Sequence, residues 1–320
     1  MQIRKAVITA AGRGVRLYPA ADTVQKGMIP LVDRDGLPKP IIQIIAEEAL
    51  DSGIEEVCVV CAPGDEVQYR RQFAALRTDL LEAYKGHEWA RTQAERLDHL
   101  LAHLRFAVQE EPKGYGHAVY VAREFVGGEP FLLLLNDHLY LSDLPDRRCA
   151  AQVIQAAVQA GCAIAAVHAT REHLIGHYGT VSGKRVADAP GLYQIERIIE
   201  KPSVSIAELE LPTPGLRVGH YLCFFGMHVL TPTLFDILET QLGAAADGEA
   251  QLTPALHELA QQERYLALDV KGSRYDIGAK FGMVQAQIAL SLTGRDHDSL
   301  LTLMVDALAE AQSRRGIGNH

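Results

Sequence analysis

Short apolar runs bounded by glycine and polar clusters recur along this chain, and longer stretches between them carry apolar residues every three or four positions. The runs predict strands at Lys5–Ala10, Glu56–Cys61, Arg105–Gln109, Phe131–Leu135, Cys162–Ala169 and Tyr221–Gly226. Continuous apolar runs of this length suit strands covered on both faces. Pro40 to Ser52 puts Ile41, Ile44, Ile45, Ala49 and Leu50 on one stripe, a helix returning from the first strand to the second. Asp65 to Leu104 is polar, yet Phe73, Leu76, Leu80, Leu81, Leu97, Leu100 and Leu101 keep helical spacing. It reads as a helical excursion packed on the sheet. Strands alternating with helices predict an α/β fold: a Rossmann-like mixed, mostly parallel sheet flanked by helices.

Residues 177–202 change character. Leu192 to Glu200 alternates apolar and polar side chains, as a half-exposed antiparallel strand should. With His177–Gly183 and the Pro- and acid-rich Ser203–Arg217, it predicts a small β-rich strand-and-loop subdomain. The expected division is a single domain over 1–294, with halves at about 1–140 and 141–294, followed by a helical tail at 295–320. In that tail Leu300, Leu301, Met304, Val305 and Leu308 fall in amphipathic register, for packing on the chain itself or on a second subunit of a homo-oligomer. No internal repeat or low-complexity segment is visible.

Composition narrows the function classes. The chain has 320 residues, 48% hydrophobic and 22% charged, which suits a globular protein with a sizeable core. A net charge of −9 argues against a general nucleic-acid or anionic-membrane surface, while leaving room for a local cationic cleft. No uncharged run is long enough to span a bilayer, and Met1–Lys5 leads straight into a strand without a secretory pattern. Cys58-x-x-Cys61 lies inside a predicted strand with no second Cys or His pair, so all five cysteines read as small buried hydrophobes. A reducing cytoplasm is the expected location.

Candidate chemistry clusters at strand ends. The first strand runs into Gly12-Arg13-Gly14-Val15-Arg16, where glycines let main-chain N–H groups close on an anion and Arg16 offers a planar fork for phosphate oxygens. Lys26 adds a second cation. No Gly-Lys-Ser/Thr follows, so this is not a Walker A loop, and the third glycine of the dinucleotide fingerprint is missing. Asp137 sits just past a buried strand, where open α/β sheets bind ligands, although a turn residue or helix cap would also fit there. Asp276 lies in Lys271–Gly278, which reads as a polar turn, and Asp276-x-Gly278 also suits a cap on a helix beginning near Ala279. Gln109 to Ala118 starts at a strand end and enters a helix; an amide there pairs with a pyrimidine edge, and His117 reads as a helix-start residue. Glu200-Lys201-Pro202 ends a strand, where such a pair is often only a solvated edge.

Taken in order, Ala11-Gly12-x-Gly14-x-Arg16-x-x-Pro19, Lys26-x-Met28-x-Pro30, Gln109–Ala118, Asp137, Tyr178-Gly179, Glu200-Lys201-Pro202, Gln251-Leu252-Thr253 and Asp276-x-Gly278-x-Lys280-x-Gly282 resemble the sugar-1-phosphate nucleotidyltransferases. The Lys-Gly-x-Gly-His-Ala form at Lys113–Ala118 is closest to the uridylyltransferases among them. The resemblance implies a nucleotide-diphospho-sugar transferase fold with a nucleotide half and a sugar-side half. It implies Mg²⁺-dependent transfer of a uridylyl group from UTP to a sugar 1-phosphate, with glucose 1-phosphate the leading candidate. The alternatives are dTTP or another sugar, and a non-catalytic homologue that binds a nucleotide sugar.

By the same resemblance, Ala11, Gly12, Gly14, Gln109, Gly114 and Gly116 bind nucleotide. Arg16, Lys26 and Lys201 act on phosphates, Tyr178, Gly179, Glu200 and Lys201 hold the sugar, and Asp137 and Asp276 take the metal. Three departures stand out: Gln25-Lys26-Gly27-Met28 for Pro-Lys-Glu-Met, a longer Asp33–Pro40 for Asp-Lys-Pro, and Asp247-Gly248-Glu249 for Gly-Asp-Glu.

Overall fold

The computed structural model describes residues 1–12, 25–245 and 249–317. The first half runs β1 (Lys5–Thr9), β2 (Pro30–Val32), β3 (Pro38–Pro40), α1 (Ile41–Leu50), β4 (Glu56–Cys61), α2 (Asp65–Ala83) and α3 (Glu88–His103). It continues with β5 (Leu104–Val108), α4 (Gly114–Tyr120), α5 (Arg123–Val126), β6 (Phe131–Leu135) and β7 (His138–Ser142). Then come α6 (Cys149–Ala160), β8 (Ala163–Arg171), β9 (Gly179–Arg185), β10 (Leu192–Glu200), α7 (Val204–Glu210) and β11 (His220–Leu230). The last elements are α8 (Thr233–Ala244), α9 (Leu252–Gln262), β12 (Tyr265–Asp269), β13 (Gly272–Asp276), α10 (Gly282–Leu292) and α11 (His297–Ile317).

Nine strands form one mixed sheet in the order β5-β4-β1-β6-β11-β8-β12-β10-β9. Its first four are parallel, as helical crossovers require. Beyond β6 only β8 and β12 pair in parallel; the other pairings are antiparallel. Because β9 also pairs with β11, strands β11, β8, β12, β10 and β9 close on themselves. The β-rich unit expected over 177–217 supplies only β9 and β10 of that closure; β8, β11 and β12 come from outside the range. A bulge between Phe224 and His228 lets β11 face β6 with one end and β9 with the other, so one strand joins the two halves.

The apolar runs are buried on both faces. Ala6 and Ile8 pack with α1 and the α2–α3 pair, while Val7 between them packs with α4, α8 and α9. Leu132 and Leu134 likewise oppose Phe131 and Leu133. Each such side chain contributes roughly 1.5–3 kcal/mol of burial, enough in sum to fix the strand ends where the chemistry sits. The excursion forms α2 and α3, burying Tyr69, Phe73, Leu97 and Leu100. All five cysteines are buried and free. No helix among the described residues is long and apolar enough to cross a membrane.

Three segments differ from the sequence reading. Residues 272–276 are a strand, β13, because antiparallel pairing with β7 satisfies a backbone whose polar side chains suggest a turn. The supposed loop 203–217 contains α7, capped by Ser203, whose side chain accepts from the Ile206 N–H. The tail helix α11 leaves Leu301, Leu303, Val305 and Leu308 exposed rather than sinking an apolar face into the domain.

One buried histidine makes stability pH-dependent. His228 on β11 is enclosed with its Nδ1 2.8 Å from the Tyr265 hydroxyl, and burial pushes its pKa down to about 3. The unfolded chain takes up this proton from about pH 6.5 downward and the folded chain does not, so stability falls with pH across that window. Between pH 7 and pH 5 the loss from this group amounts to about 2 kcal/mol. In His228→Asn an oxygen still accepts from Tyr265, and urea unfolding at the two pH values should show the acid loss reduced by about that amount.

Candidate active site

Parallel pairing brings the carboxyl ends of β1, β4, β5 and β6 to one edge, and the candidate residues stand one step beyond it. There the Ala10 N–H donates to Val60 (2.7 Å), the Gln109 N–H to Cys61 (2.9 Å) and the Asn136 N–H to Thr9 (3.3 Å). Ala11 and Gly12 continue from β1, and a Cβ at Gly12 would meet none of the described residues within 4 Å. Gly14 and Arg16 lie outside the described residues.

Asp137 and Asp276 meet through the β7–β13 ribbon. Its register sets Asp276 opposite His138, and the Ile277 N–H donates to the Asp137 carbonyl at 2.9 Å. Ligand atoms of Asp137, His138 and Asp276 all lie within 4.8 Å of one another. Lys26 closes on the same point, with Nζ 3.3 Å from Asp137 Oδ2. His138 Nδ1 is 2.8 Å from Asp137 Oδ1, and a proton on that nitrogen fixes the orientation of the carboxylate. Beyond Asp276 the chain turns sharply, with the Gly278 N–H donating to Asp276 Oδ1 at 2.9 Å and α10 starting only at Gly282.

A cleft of about 780 Å³ extends from these carboxylates across the β-rich half, and Tyr178, Gly179, Glu200, Lys201 and Thr253 line it. Gly179 and Glu200 face each other in the β9–β10 register. Glu200 Oε2 accepts from the Thr253 hydroxyl at 2.7 Å and Glu200 Oε1 lies 3.5 Å from Lys201 Nζ. Lys201 has φ +46°, a left-handed conformation unusual for a lysine and more so before a proline. Its N–H donates to the Tyr178 carbonyl at 3.1 Å, which holds that conformation and turns the side chain into the cleft.

The base-side candidates form a second group. Gln109 is buried, with Nε2 3.3 Å from the Gly114 carbonyl and 2.9 Å from His117 Nδ1. Gly114 and Gly116 pack on the main chain of Ala250: a Cβ would come within 2.4 Å and 2.9 Å of its carbonyl oxygen. Tyr115 between them lines the cleft. The structure thus gathers Asp137, Asp276, Tyr178, Gly179, Glu200 and Lys201 in one cleft, sets Lys26 against Asp137, and holds Gln109, Gly114 and Gly116 at the adjoining strand end.

Two cleft residues escaped the sequence reading. His138 was masked by its place in an assumed loop after Asp137. Arg274 was hidden because 272–276 read as a turn; as a strand, the i, i+2 rule puts it on the face of Asp276. Its guanidinium lies 3.8 Å from the centre of the Tyr178 ring, and its Nη1 is buried without a hydrogen-bond partner.

A model of the nucleotidyl transferase family matches residues 5–291, and the chain belongs to that family. Among curated proteins it is similar to UTP–glucose-1-phosphate uridylyltransferase 2 of Staphylococcus saprophyticus, 34% identical over 94% of this chain and 96% of that protein. It is 33% identical to the UTP–glucose-1-phosphate uridylyltransferase of Bacillus subtilis, over 95% and 96% of the two chains. Among solved structures, UDP-glucose pyrophosphorylase complexed with UDP-glucose matches with a TM-score of 0.71 and 27% identity, over 90% of this chain and 98% of that one. UTP-bound UGPase from Acinetobacter baumannii matches with a TM-score of 0.76 and 25% identity, over 95% and 99%.

The turn after Asp276 carries a test of the carboxylate pair. A Cβ on Gly282 would lie 1.8 Å from the Asp276 carbonyl oxygen, a main-chain contact that no rotamer change relieves. Gly282→Ala should therefore displace Asp276 and cut turnover at least about 100-fold, because small misplacements at a reacting centre are that costly. Near-wild-type turnover with a normal melting temperature would show that the turn tolerates the shift.

Proposed function

We propose that this nucleotidyl transferase moves the uridylyl group of UTP onto glucose 1-phosphate. An oxygen of the sugar phosphate forms the new bond to the α-phosphorus of UTP, the bond from that phosphorus to the bridging oxygen of the β-phosphate breaks, and pyrophosphate leaves. The products are UDP-glucose and pyrophosphate. One observation carries the reading: a carboxylate from the β6–β7 turn and one from the end of β13 meet beside a lysine at the mouth of a cleft that ends in Glu200 and Lys201. The curated relatives with the same length and a third of the same residues carry the matching name.

Transfer of this kind needs two polyanions held in line and the charge on their oxygens offset. Lys26 stands beside Asp137, where its ammonium meets the α-phosphate and the incoming sugar phosphate. Arg16 and the glycine loop from Ala11 and Gly12 to Gly14 take the outer phosphates. Glu200 accepts from sugar hydroxyls and Lys201 holds the sugar phosphate, with Tyr178 and Gly179 flanking the ring. Gln109 reads the base, and Gly114 and Gly116 let the chain close around it.

Magnesium is the ion we assign to Asp137 and Asp276. Two carboxylates within 4.8 Å suit a hard cation that takes one or two protein oxygens and leaves its other positions to phosphate and water. Bound there, it supplies positive charge to the phosphoryl oxygens. His138 is better used in holding Asp137 than as a ligand, since imidazole suits softer metals. A cytoplasmic location fits this reading, supported by the five free, buried cysteines and the intracellular nature of UTP and sugar phosphates.

Pyrophosphate release, measured with Mg²⁺ over a matrix of nucleoside triphosphates and sugar 1-phosphates, should select UTP and glucose 1-phosphate. Preference for ATP or GTP would overturn the reading. Asp137→Asn and Asp276→Asn should each lower turnover roughly 10³-fold or more, through loss of several kcal/mol of charge stabilisation. Wild-type-like rates at saturating Mg²⁺ would remove them from the metal site.

Lys26 and Glu200 should separate kinetically. Lys26→Ala is expected to depress kcat far more than UTP affinity, because a cation between two phosphates matters most as the pentavalent arrangement forms. Glu200→Ala should mainly raise KM for glucose 1-phosphate. Steady-state kinetics of the two variants check this; exchanged phenotypes would mean that the roles are reversed.

A further inference from the structure

We propose that His117 sets the choice of base by fixing the Gln109 amide so that it meets the nucleotide with its carbonyl oxygen alone. The inference rests on the reading of Gln109 as the base contact and asks what that contact can distinguish.

An amide nitrogen carries two hydrogens and the amide oxygen none. Here Gln109 Nε2 has two acceptors already, the Gly114 carbonyl at 3.3 Å and His117 Nδ1 at 2.9 Å. Turning the amide over would set its oxygen against both of them, losing two hydrogen bonds and creating two acceptor–acceptor contacts. The amide is therefore held one way round, and its Oε1 is left for a ligand.

The lock needs a bare Nδ1 on a neutral ring, and the surroundings of His117 favour the neutral form. Burial and the Lys113 ammonium hold the imidazole pKa below the ordinary histidine value, against a weaker opposite pull from Glu111. The ring also hydrogen-bonds the Glu111 main chain. The neutral ring carries its proton on Nε2 when Nδ1 accepts. The main chain fixes where the ring stands: the N–H groups of Gly116 and His117 both point at the Ala250 carbonyl, at 2.9 Å and 3.4 Å. Gln109 is fixed in turn by its own N–H to Cys61 at 2.9 Å.

An acceptor-only side chain discriminates in one direction. Along the pairing edge of uracil the only donor is N3–H, between two carbonyls, so Oε1 pairs there. Cytosine seated in the same place presents a lone pair at N3, and Oε1 would face it with no hydrogen between; the cytosine donor, N4–H, stands one position along the edge, where uracil has a carbonyl, so reaching it requires the base to shift. A free amide could rotate and offer Nε2–H to cytosine instead; the His117 contact removes that option. Thymine has the same N3–H, so this device separates UTP from CTP and leaves dTTP to contacts at the methyl group.

The test is kcat/KM for UTP and for CTP, at saturating glucose 1-phosphate, in the wild type and three variants. His117→Phe keeps a ring of similar size without the acceptor, and its UTP-to-CTP ratio should fall at least about tenfold, the scale of losing one polar contact of discrimination. His117→Asn places an amide oxygen near the position of Nδ1 and should keep the ratio within about threefold of wild type. Gln109→Ala should lose the ratio as well. A wild-type ratio in His117→Phe, with the ratio lost in Gln109→Ala, would overturn the positioning role and leave the base contact standing. Equal losses in His117→Phe and His117→Asn would reduce His117 to packing and also overturn it. An unchanged ratio in Gln109→Ala would sink the base reading itself.

Discussion

Two carboxylates at one point are the constraint on which this structure turns. Unit charges 4.8 Å apart repel by about 3–4 kcal/mol at an effective dielectric constant of 20, and Asp137 and Asp276 come from distant parts of the chain. The β7–β13 ribbon forces them together: its hydrogen bonds fix the register, and β7 is tied to β6 by a turn only two residues long. Lys26 and His138 offset the repulsion locally. The ribbon thus holds two carboxylates and an ammonium at one point, an arrangement that suits a divalent cation.

Two of the departures from the family pattern are absorbed by packing, while Asp247 and Gly248 of the third lie outside the described residues. The lengthened Asp33–Pro40 segment is the β2–β3 hairpin, closed at its base by Lys39 Nζ 2.7 Å from Asp33 and 3.1 Å from Glu47 of α1. Lys39 is only 2% exposed, and its charge is tolerated because Asp33, Asp35 and Glu47 surround it. The hairpin tip rests on the start of the tail, where the Arg295 N–H donates to the Arg34 carbonyl at 2.9 Å. Extra residues are thus spent on latching α11, away from the cleft. Gly27 has a similar logic: a Cβ there would lie 2.9 Å from the Tyr69 hydroxyl and 3.2 Å from Asn136 Oδ1. The small residue beside Lys26 and the larger one before Asp137 fit each other, so both unusual positions belong to one local adjustment.

The sequence makes the parallel half legible because its strands are buried on both faces, and uninterrupted runs such as Phe131–Leu135 have no other stable place. Asp137 and Gln109 follow from it, since a parallel sheet delivers the ends of its strands to one edge. The β13 strand was not legible. Its five residues, Gly-Ser-Arg-Tyr-Asp, carry no alternation, and only a partner far away in sequence makes them extended. Arg274 was lost with it. The tail reads as a helix and is one, α11; its register states only that a face could be buried, and Leu300 and Met304 are half-buried while Leu301, Val305 and Leu308 are exposed.

The two ends of the cleft treat hydrogen-bonding capacity differently. Around Gln109 the chain saturates the amide donors with Gly114 and His117 and leaves one acceptor. Beside the carboxylates it leaves a group unsatisfied: among the described residues Arg274 Nη1, on the strand of Asp276, is buried without a hydrogen-bond partner. Each such group costs about 1–3 kcal/mol in the folded protein. Arg274 lines the cleft two residues before Asp276, on the same face of β13, so the stability given up there is lost inside the cleft itself, and an oxygen-rich ligand entering it would recover that cost.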